Sequence, residues 1–262
     1  MAVPITVIKI GGSTLGNHDT SLDDIVALHA AGRRLVLVHG GGATISEWLE
    51  RHGIESRFVR GLRVTDAATL DVVVAVLAGL VNKRLVVELS SRGARAVGLS
   101  GADAAVLRAR RYDPELGFVG EVTKVDGVGI TAVVESGAIA VLAPIAVEVT
   151  GERLQPQLLN VNADTAAGQV AAALRAERLV FLTDVPGVMD ANGAVRASLT
   201  AAEARELIDG QVAKGGMIPK LEAALVADAA GVATLIADGR KAGTLRALLA
   251  ADAEPGLGTR VG

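Results

Sequence analysis

The sequence predicts an α/β fold, a three-layer αβα sandwich around a central, mostly parallel sheet, with β-hairpins decorating the N-terminal half. Short Val/Ile/Leu runs alternate with amphipathic stretches, the pattern of β-α units. The strand runs lack clean polar–apolar alternation, as expected where helices cover both sheet faces. The chain has 262 residues, half of them apolar, enough for one large core or two lobes on a shared sheet.

In order along the chain, residues 5–10 read as the first buried strand and 21–31 as a helix. A strand at 34–38 and a helix at 44–51 follow, then a long helix at 67–92. Residues 108–124 hold Asp113-Pro114-Glu115-Leu116-Gly117 between β-prone flanks and predict a hairpin. A helix at 130–136 and a strand at 138–142 precede a second hairpin, 147–158, turning at Thr150-Gly151-Glu152. The rest predicts a helix at 164–175, a strand at 178–182, helices at 201–209 and 217–231, and a strand at 232–237. Both hairpins are expected to ornament the first half rather than form domains. Strand–helix spacing restarts near residue 165, which divides the chain into an N-terminal lobe, 1–165, and a C-terminal lobe, 166–262.

Composition removes several classes of function. Only three Phe, one Trp and one Tyr are available to stack on bases, and the net charge is −3 with Lys and Arg scattered. A nucleic-acid partner is disfavoured on both counts. No cysteine means no disulfide, no thiolate metal site and no Cys nucleophile, which fits a cytoplasmic protein. The N-terminus has no basic region or cleavage pattern. The longest apolar runs, such as 72–81 between Asp71 and Asn82, fall short of the roughly 20 residues of a membrane span.

Two glycine loops close neighbouring strands: Gly11-Gly12 after Lys9-Ile10, and Gly40-Gly41-Gly42 after Val38-His39. Ligands of open α/β sheets bind beyond the carboxyl ends of strands. Glycine there lets backbone N–H groups approach phosphate oxygens. A single such loop reads equally well as a tight β-α turn; the pair, with Lys9 ending an apolar strand, points to phosphate chemistry. A buried ammonium is costly unless it meets an anion. The spacing matches neither G-x-x-x-x-G-K-[ST], since Asn17-His18 follows Gly16, nor G-x-G-x-x-G.

Four polar clusters add to these loops. Arg63 precedes a helix whose N-cap is Thr65 or Asp66, and Arg suits bidentate capture of a carboxylate; in isolation a surface Arg at a helix entry is the better reading. Asn160, Asn162 and Asp164 alternate, so in an extended segment they face one side and converge on a ligand or on lysines. Capping of the next helix is the competing reading, and both can hold. Asp184 and Gly187 follow the strand at 178–182. Lys220 lies in the first turn of a helix after Met217, where the dipole prefers anions, so an anion is expected beside it.

Together and in order, these clusters resemble the amino-acid kinase family, from Lys9-Ile10-Gly11-Gly12 to Gly258-Thr259-Arg260-Val261. The blocks at 78–83 and 97–101 belong to the same pattern. It is most similar to the branch of the family that phosphorylates N-acetyl-L-glutamate in arginine biosynthesis. The resemblance implies an amino-acid kinase-like fold and transfer from ATP, with Mg²⁺, to the γ-carboxylate, giving N-acetyl-L-glutamyl 5-phosphate and ADP. It implies that Lys9 and Lys220 neutralise the transferring group and that Asp164 organises both. Gly41 and Gly42 would contact substrate and phosphoryl oxygens, while Arg63 and Asn160 hold the acylated amino acid. Gly11, Gly12, Asp184, Gly187 and Met217 would border ATP. The N-terminal lobe would then bind the acyl amino acid and dimerise, and the C-terminal lobe would bind ATP.

A carboxylate acceptor is already ionised at neutral pH, so no general base is needed and His39 reads as structural. Mg²⁺ would ride on the phosphates, without a dedicated metal cage. A relative phosphorylating carrier-linked α-aminoadipate fits less well, since no basic patch is visible for an acidic carrier. A non-catalytic nucleotide or amino-acid sensor is the alternative of another class, and the presence of Lys9, Lys220 and Asp164 weighs against it. Within the family, a chain starting directly at its first strand implies a homodimer insensitive to arginine.

Overall fold

The computed structural model describes residues 4–11, 20–190, 192–250 and 257–262. Strand β1 (Ile5–Ile10) is followed by helix α1 (Ser21–Ala30), strand β2 (Arg34–His39) and helix α2 (Gly42–Arg51). Two short strands, β3 (Phe58–Val59) and β4 (Leu62–Arg63), lead to α3 (Ala67–Val74), whose N-cap Asp66 accepts from Thr69 N–H. The long helix expected at 67–92 is not uniform. A π-helical segment, Ala75–Val81, separates α3 from α4 (Asn82–Ser91). Such segments mark places where a helix bends to meet a site, and here Leu77 and Val81 come down on Gly41.

Strand β5 (Ala96–Ser100), absent from the sequence-based expectation, precedes β6 (Leu107–Arg111) and β7 (Val119–Val125). Helix α5 (Val128–Glu135), β8 (Ile139–Ala143), β9 (Ile145–Thr150) and β10 (Arg153–Val161) complete the first half. Helix α6 (Ala163–Ala173), β11 (Arg178–Thr183), β12 (Ser198–Leu199), α7 (Ala201–Asp209) and α8 (Met217–Ala229) follow. The described chain closes with β13 (Ala233–Asp238), α9 (Thr244–Leu248) and β14 (Thr259–Val261).

Among the described residues eight strands form the central sheet in the order β12-β14-β13-β11-β1-β2-β8-β5, parallel except for the β13–β14 pair. Residues alternate across it as a pleat requires. Val7, Val36, Val38, Leu179 and Phe181 pack under α5, α6 and α8, while Ile8, Ile10, Leu37 and Val180 pack under α1, α2, α4 and α9. This is the expected three-layer α/β sandwich. The two hairpins are present, but they do not lie separately on the surface. β6–β7 and β9–β10 join through the parallel pairs β7–β10 and β6–β9 into a closed four-stranded barrel. Closure removes their open edges. Gly120 allows it, since a Cβ there would sit 2.9 Å from Leu159 Cβ. Among the described residues no helix is long and apolar enough to cross a membrane.

Candidate active site

Pleat alternation fixes the direction of Lys9. Its neighbours Ile8 and Ile10 fill one core layer, so Lys9 points with Val7 to the side where α6 and α8 pack. Those two helices lie close because Gly168 has no side chain; a Cβ there would meet Ala223 O at 2.7 Å. Asn162 caps α6, accepting from the N–H groups of Asp164 (2.8 Å) and Thr165 (3.1 Å). Asp164 is thereby set in the first turn, facing β1 and α8.

Asp164 bridges two ammonium groups. Lys9 Nζ forms an ion pair with Oδ1 at 2.7 Å, and Lys220 Nζ donates to Oδ2 at 3.0 Å. Lys220 also donates to Gly216 O at 3.0 Å, across the start of α8. All three are buried. Burial lowers the Lys9 pKa below its ordinary value, Asp164 opposes that shift, and Lys220 adds to it. One carboxylate thus serves two ammoniums. The cluster carries an excess positive charge at the carboxyl edge of the sheet, in a protein whose net charge is −3, and an anion would restore balance.

The glycine loops flank this cluster. Gly11 N–H donates to Leu182 O on β11, and Gly40 N–H donates to Ile10 O, so the loops after β1 and β2 lie side by side. Gly12 lies outside the described residues. Gly41 is the N-cap of α2 and, as a glycine, offers that helix no side-chain cap. Its first N–H groups are therefore directed toward the end of the sheet, as in anion sites at helix N-termini. At Gly41 a Cβ would lie 2.7 Å from Leu77 Cδ2; at Gly42 there is open space.

Arg63 overturns the surface reading. It is buried, with Nη1 on Ser56 Oγ (2.7 Å) and Nη2 on Gly42 O (3.0 Å) and Ser46 Oγ (2.9 Å), above the Phe58 ring. Among the described residues no carboxylate pairs with it. Burial pulls its pKa below the ordinary value. A desolvated guanidinium held only by neutral acceptors can still bind a carboxylate bidentately. Asn160 reaches the same region, donating to Thr65 Oγ1 (3.1 Å), which donates to Arg63 O (2.9 Å). Asn160, Asn162 and Asp164 therefore divide their contacts among the Arg63–Thr65 segment, the helix cap and the lysines.

On the other side, Asp184 is exposed at the end of β11 and accepts from Thr183 Oγ1 (3.2 Å). Gly187 is buried where a Cβ would meet Thr259 Oγ1 at 2.6 Å. Met217 starts α8, half-buried against the core. Sequence reasoning missed Asp238 and Arg240 beside them. Asp238 accepts from Arg240 N (3.0 Å), Nε (2.9 Å) and Nη2 (2.8 Å), which lowers its pKa, and Gly239 N–H donates to Thr183 O. Their position after a buried strand, around a glycine, was the available signal.

The family model described as "Amino acid kinase family" matches residues 4–238. The acetylglutamate kinase of Dehalococcoides mccartyi is 47% identical over 241 residues, covering 90% of this chain and 88% of the relative. The acetylglutamate kinase of Jannaschia sp. is 46% identical, covering 90% and 82%. Among solved structures, the smu.665 protein of Streptococcus mutans superposes with a TM-score of 0.82 at 35% identity, over 98% of both chains.

Proposed function

The chain belongs to the amino acid kinase family, and we propose that it transfers the γ-phosphoryl group of Mg·ATP to the γ-carboxylate of N-acetyl-L-glutamate. The products are N-acetyl-L-glutamyl 5-phosphate and ADP, the second step of arginine biosynthesis. The observation that carries this reading is the buried Lys9–Asp164–Lys220 cluster, with its excess positive charge at the mouth of the two glycine loops.

Transfer brings together two anions, a carboxylate and a terminal phosphate, so positioning and charge stabilisation make up most of the catalysis. Lys9 and Lys220 would neutralise the equatorial oxygens as charge spreads over them. Asp164 would keep both ammoniums in place, and its charge opposes the lowering of the Lys9 pKa by burial. The N–H groups of Gly41 and Gly42 would donate to the phosphoryl and acceptor oxygens, as preorganised donors do. Arg63 and Asn160 would hold the substrate by its other carboxylate and its amide. ATP would lie over the carboxyl ends of β11 and β13, bordered by Gly11, Asp184, Gly187 and Met217. Mg²⁺, bound with ATP, would supply charge neutralisation at the nucleotide phosphates.

The lobes 1–165 and 166–262 are proposed as acceptor and nucleotide halves of one continuous sheet. A cytoplasmic homodimer completes the reading. It is supported by β5, which among the described residues has no strand paired on its outer side and carries the exposed Val97, since an unpaired strand edge is a template for pairing.

The test is acyl-phosphate trapping. Purified protein is incubated with Mg·ATP, hydroxylamine and one of N-acetyl-L-glutamate, N-acetyl-L-aspartate, free glutamate or a carrier-linked aminoadipate. Hydroxamate from N-acetyl-L-glutamate alone is expected. Hydroxamate only from the carrier-linked acid, or none from any acid, overturns the assignment.

A further inference from the structure

The sequence blocks at 78–83 and 97–101 belong to the family pattern but supply none of the site residues above. They meet at Asn82, which is fully buried and touches the histidine at the end of β2. His39 is also fully buried. Its Nδ1 lies 2.9 Å from Gly40 O, and its Nε2 lies 3.2 Å from Asn82 Nδ2. That amide nitrogen is also 2.9 Å from Val141 O and 3.2 Å from Leu99 O, while Asn82 Oδ1 accepts from Lys83 Nζ at 3.0 Å.

The proton positions follow from these partners. Reversing the Asn82 amide would set Oδ1 against two carbonyl oxygens and Nδ2 against an ammonium. The amide nitrogen therefore faces His39 as a donor, so Nε2 accepts and the ring proton is on Nδ1, where it donates to Gly40 O. Burial agrees, pushing the His39 pKa down to about 4 and keeping the ring neutral. β5 leaves room for this arrangement. A Cβ on Gly98 would stand 2.0 Å from Asn82 Oδ1 and 2.7 Å from Lys83 Nζ.

The consequence lies in one peptide plane. Gly40 C=O and Gly41 N–H belong to the same planar trans peptide and point in opposite directions. Holding the carbonyl on His39 fixes where the Gly41 N–H is aimed. Arg63 Nη2 holds the next carbonyl but one, Gly42 O, so the loop is clamped at both ends of the Gly41–Gly42 pair. We propose that His39, braced by Asn82, is a positioning residue for phosphoryl transfer: it orients the Gly40–Gly41 peptide so that the Gly41 N–H meets the transferring phosphoryl group without reorganisation. This rests on the reaction proposed above, and it gives the two unassigned blocks a common purpose.

The competing account is a core histidine that merely satisfies its own hydrogen bonds. Two variants separate them, because Asn places a side-chain N–H where His carries Nδ1, and Gln reaches only as far as Nε2. The wild type, His39→Asn, His39→Gln and Asn82→Ala are compared for kcat, both KM values and melting temperature in the hydroxamate assay. Affinity for Mg·ADP with N-acetyl-L-glutamate is measured by calorimetry with and without aluminium fluoride, a planar phosphoryl mimic.

His39→Asn is expected to keep kcat within about fivefold, while His39→Gln loses about 10²-fold with little change in either KM, the size expected for one misaimed donor. Asn82→Ala is expected to lose about tenfold in kcat by the same route. His39→Gln should lose affinity for the aluminium fluoride complex and keep it for the substrates, a difference that folding defects do not produce. Equal losses in His39→Asn and His39→Gln that follow their melting temperatures would overturn the positioning role. So would retention of the aluminium fluoride affinity by both His39→Gln and Asn82→Ala. A wild type that turns over no N-acetyl-L-glutamate would instead overturn the reaction assignment.

Discussion

Replacing Asp164 by Asn removes the one negative charge between two ammoniums while keeping the shape of the side chain. Lys9 and Lys220 are 2.7 and 3.0 Å from its two oxygens, so both lose their counter-charge at once. Breaking a buried ion pair from one side costs about 3–5 kcal/mol, because the partner is left charged and desolvated. Lys9 limits that cost. Burial already lowers its pKa from 10.5, and Asp164 is the foremost influence opposing the shift. Without it the pKa falls further, and the lysine can shed its proton. The sign follows from linkage. Lys9 in the unfolded chain keeps its proton up to about pH 10.4, so across the window between the lowered folded value and that limit the unfolded state binds more protons. Stability therefore rises with pH there. In Asp164→Asn the window extends to lower pH, and the stability deficit is largest in acid and shrinks toward alkali. Activity moves the other way if, as proposed, charged Lys9 is the working form. We expect kcat to fall about 10²–10³-fold and the alkaline limb of the rate profile to move to lower pH. Urea titrations between pH 6 and 10, with pH–rate profiles, measure both effects. A variant with wild-type stability and an unshifted alkaline limb would refute the reasoning.

Arg63→Lys should raise KM for N-acetyl-L-glutamate by about 10²-fold and leave KM for ATP nearly unchanged, because an ammonium cannot replace the bidentate fork; steady-state kinetics with each substrate varied checks this. Gly168→Ala puts a methyl group 2.7 Å from Ala223 O and should destabilise by about 1–3 kcal/mol through overpacking, read by denaturant titration, with kcat reduced as α8 carries Lys220 away from Asp164. His39, neutral in the fold down to about pH 4, contributes stability that is complete above about pH 6.5 and is lost at about 1.4 kcal/mol per unit as pH falls through that window. Stability measured from pH 7 to 4 should show that slope, and His39→Asn should remove it. Light scattering should give twice the chain mass, and Val97→Asp on the β5 edge should give monomers.

The central strands were legible because continuous Val/Ile/Leu runs leave little else to read. The observed ends differ by a residue, as at β2, which runs on to His39. β5 was not legible. Its sequence, Ala96-Val97-Gly98-Leu99-Ser100, is short and interrupted by a glycine whose purpose, room for Asn82, exists only once the helix lies over the sheet. The hairpins were readable as hairpins, but pairing a strand of one with a strand of the other is a long-range choice no local pattern encodes. At the site, Lys9 and Lys220 stood out because each breaks a local rule, an ammonium in an apolar strand and a cation at a helix N-terminus. Arg63 broke no such rule, so its burial could not be seen in advance. His39 reads as structural in the sequence because a carboxylate acceptor needs no general base. Its link to the glycine loop depends on the Asn82 amide, 43 residues away.

The most direct test of the account labels the acceptor. N-acetyl-L-glutamate carrying ¹⁸O in its γ-carboxylate is incubated with the protein, Mg·ATP and hydroxylamine, and the released phosphate is analysed by mass spectrometry. Transfer to the carboxylate puts a substrate oxygen in the bridge, and attack of hydroxylamine on the carbonyl carbon releases phosphate bearing one ¹⁸O. The account predicts that singly labelled phosphate, in amounts equal to the hydroxamate. Unlabelled phosphate with no hydroxamate would mean that water, not the carboxylate, takes the phosphoryl group, and would contradict it.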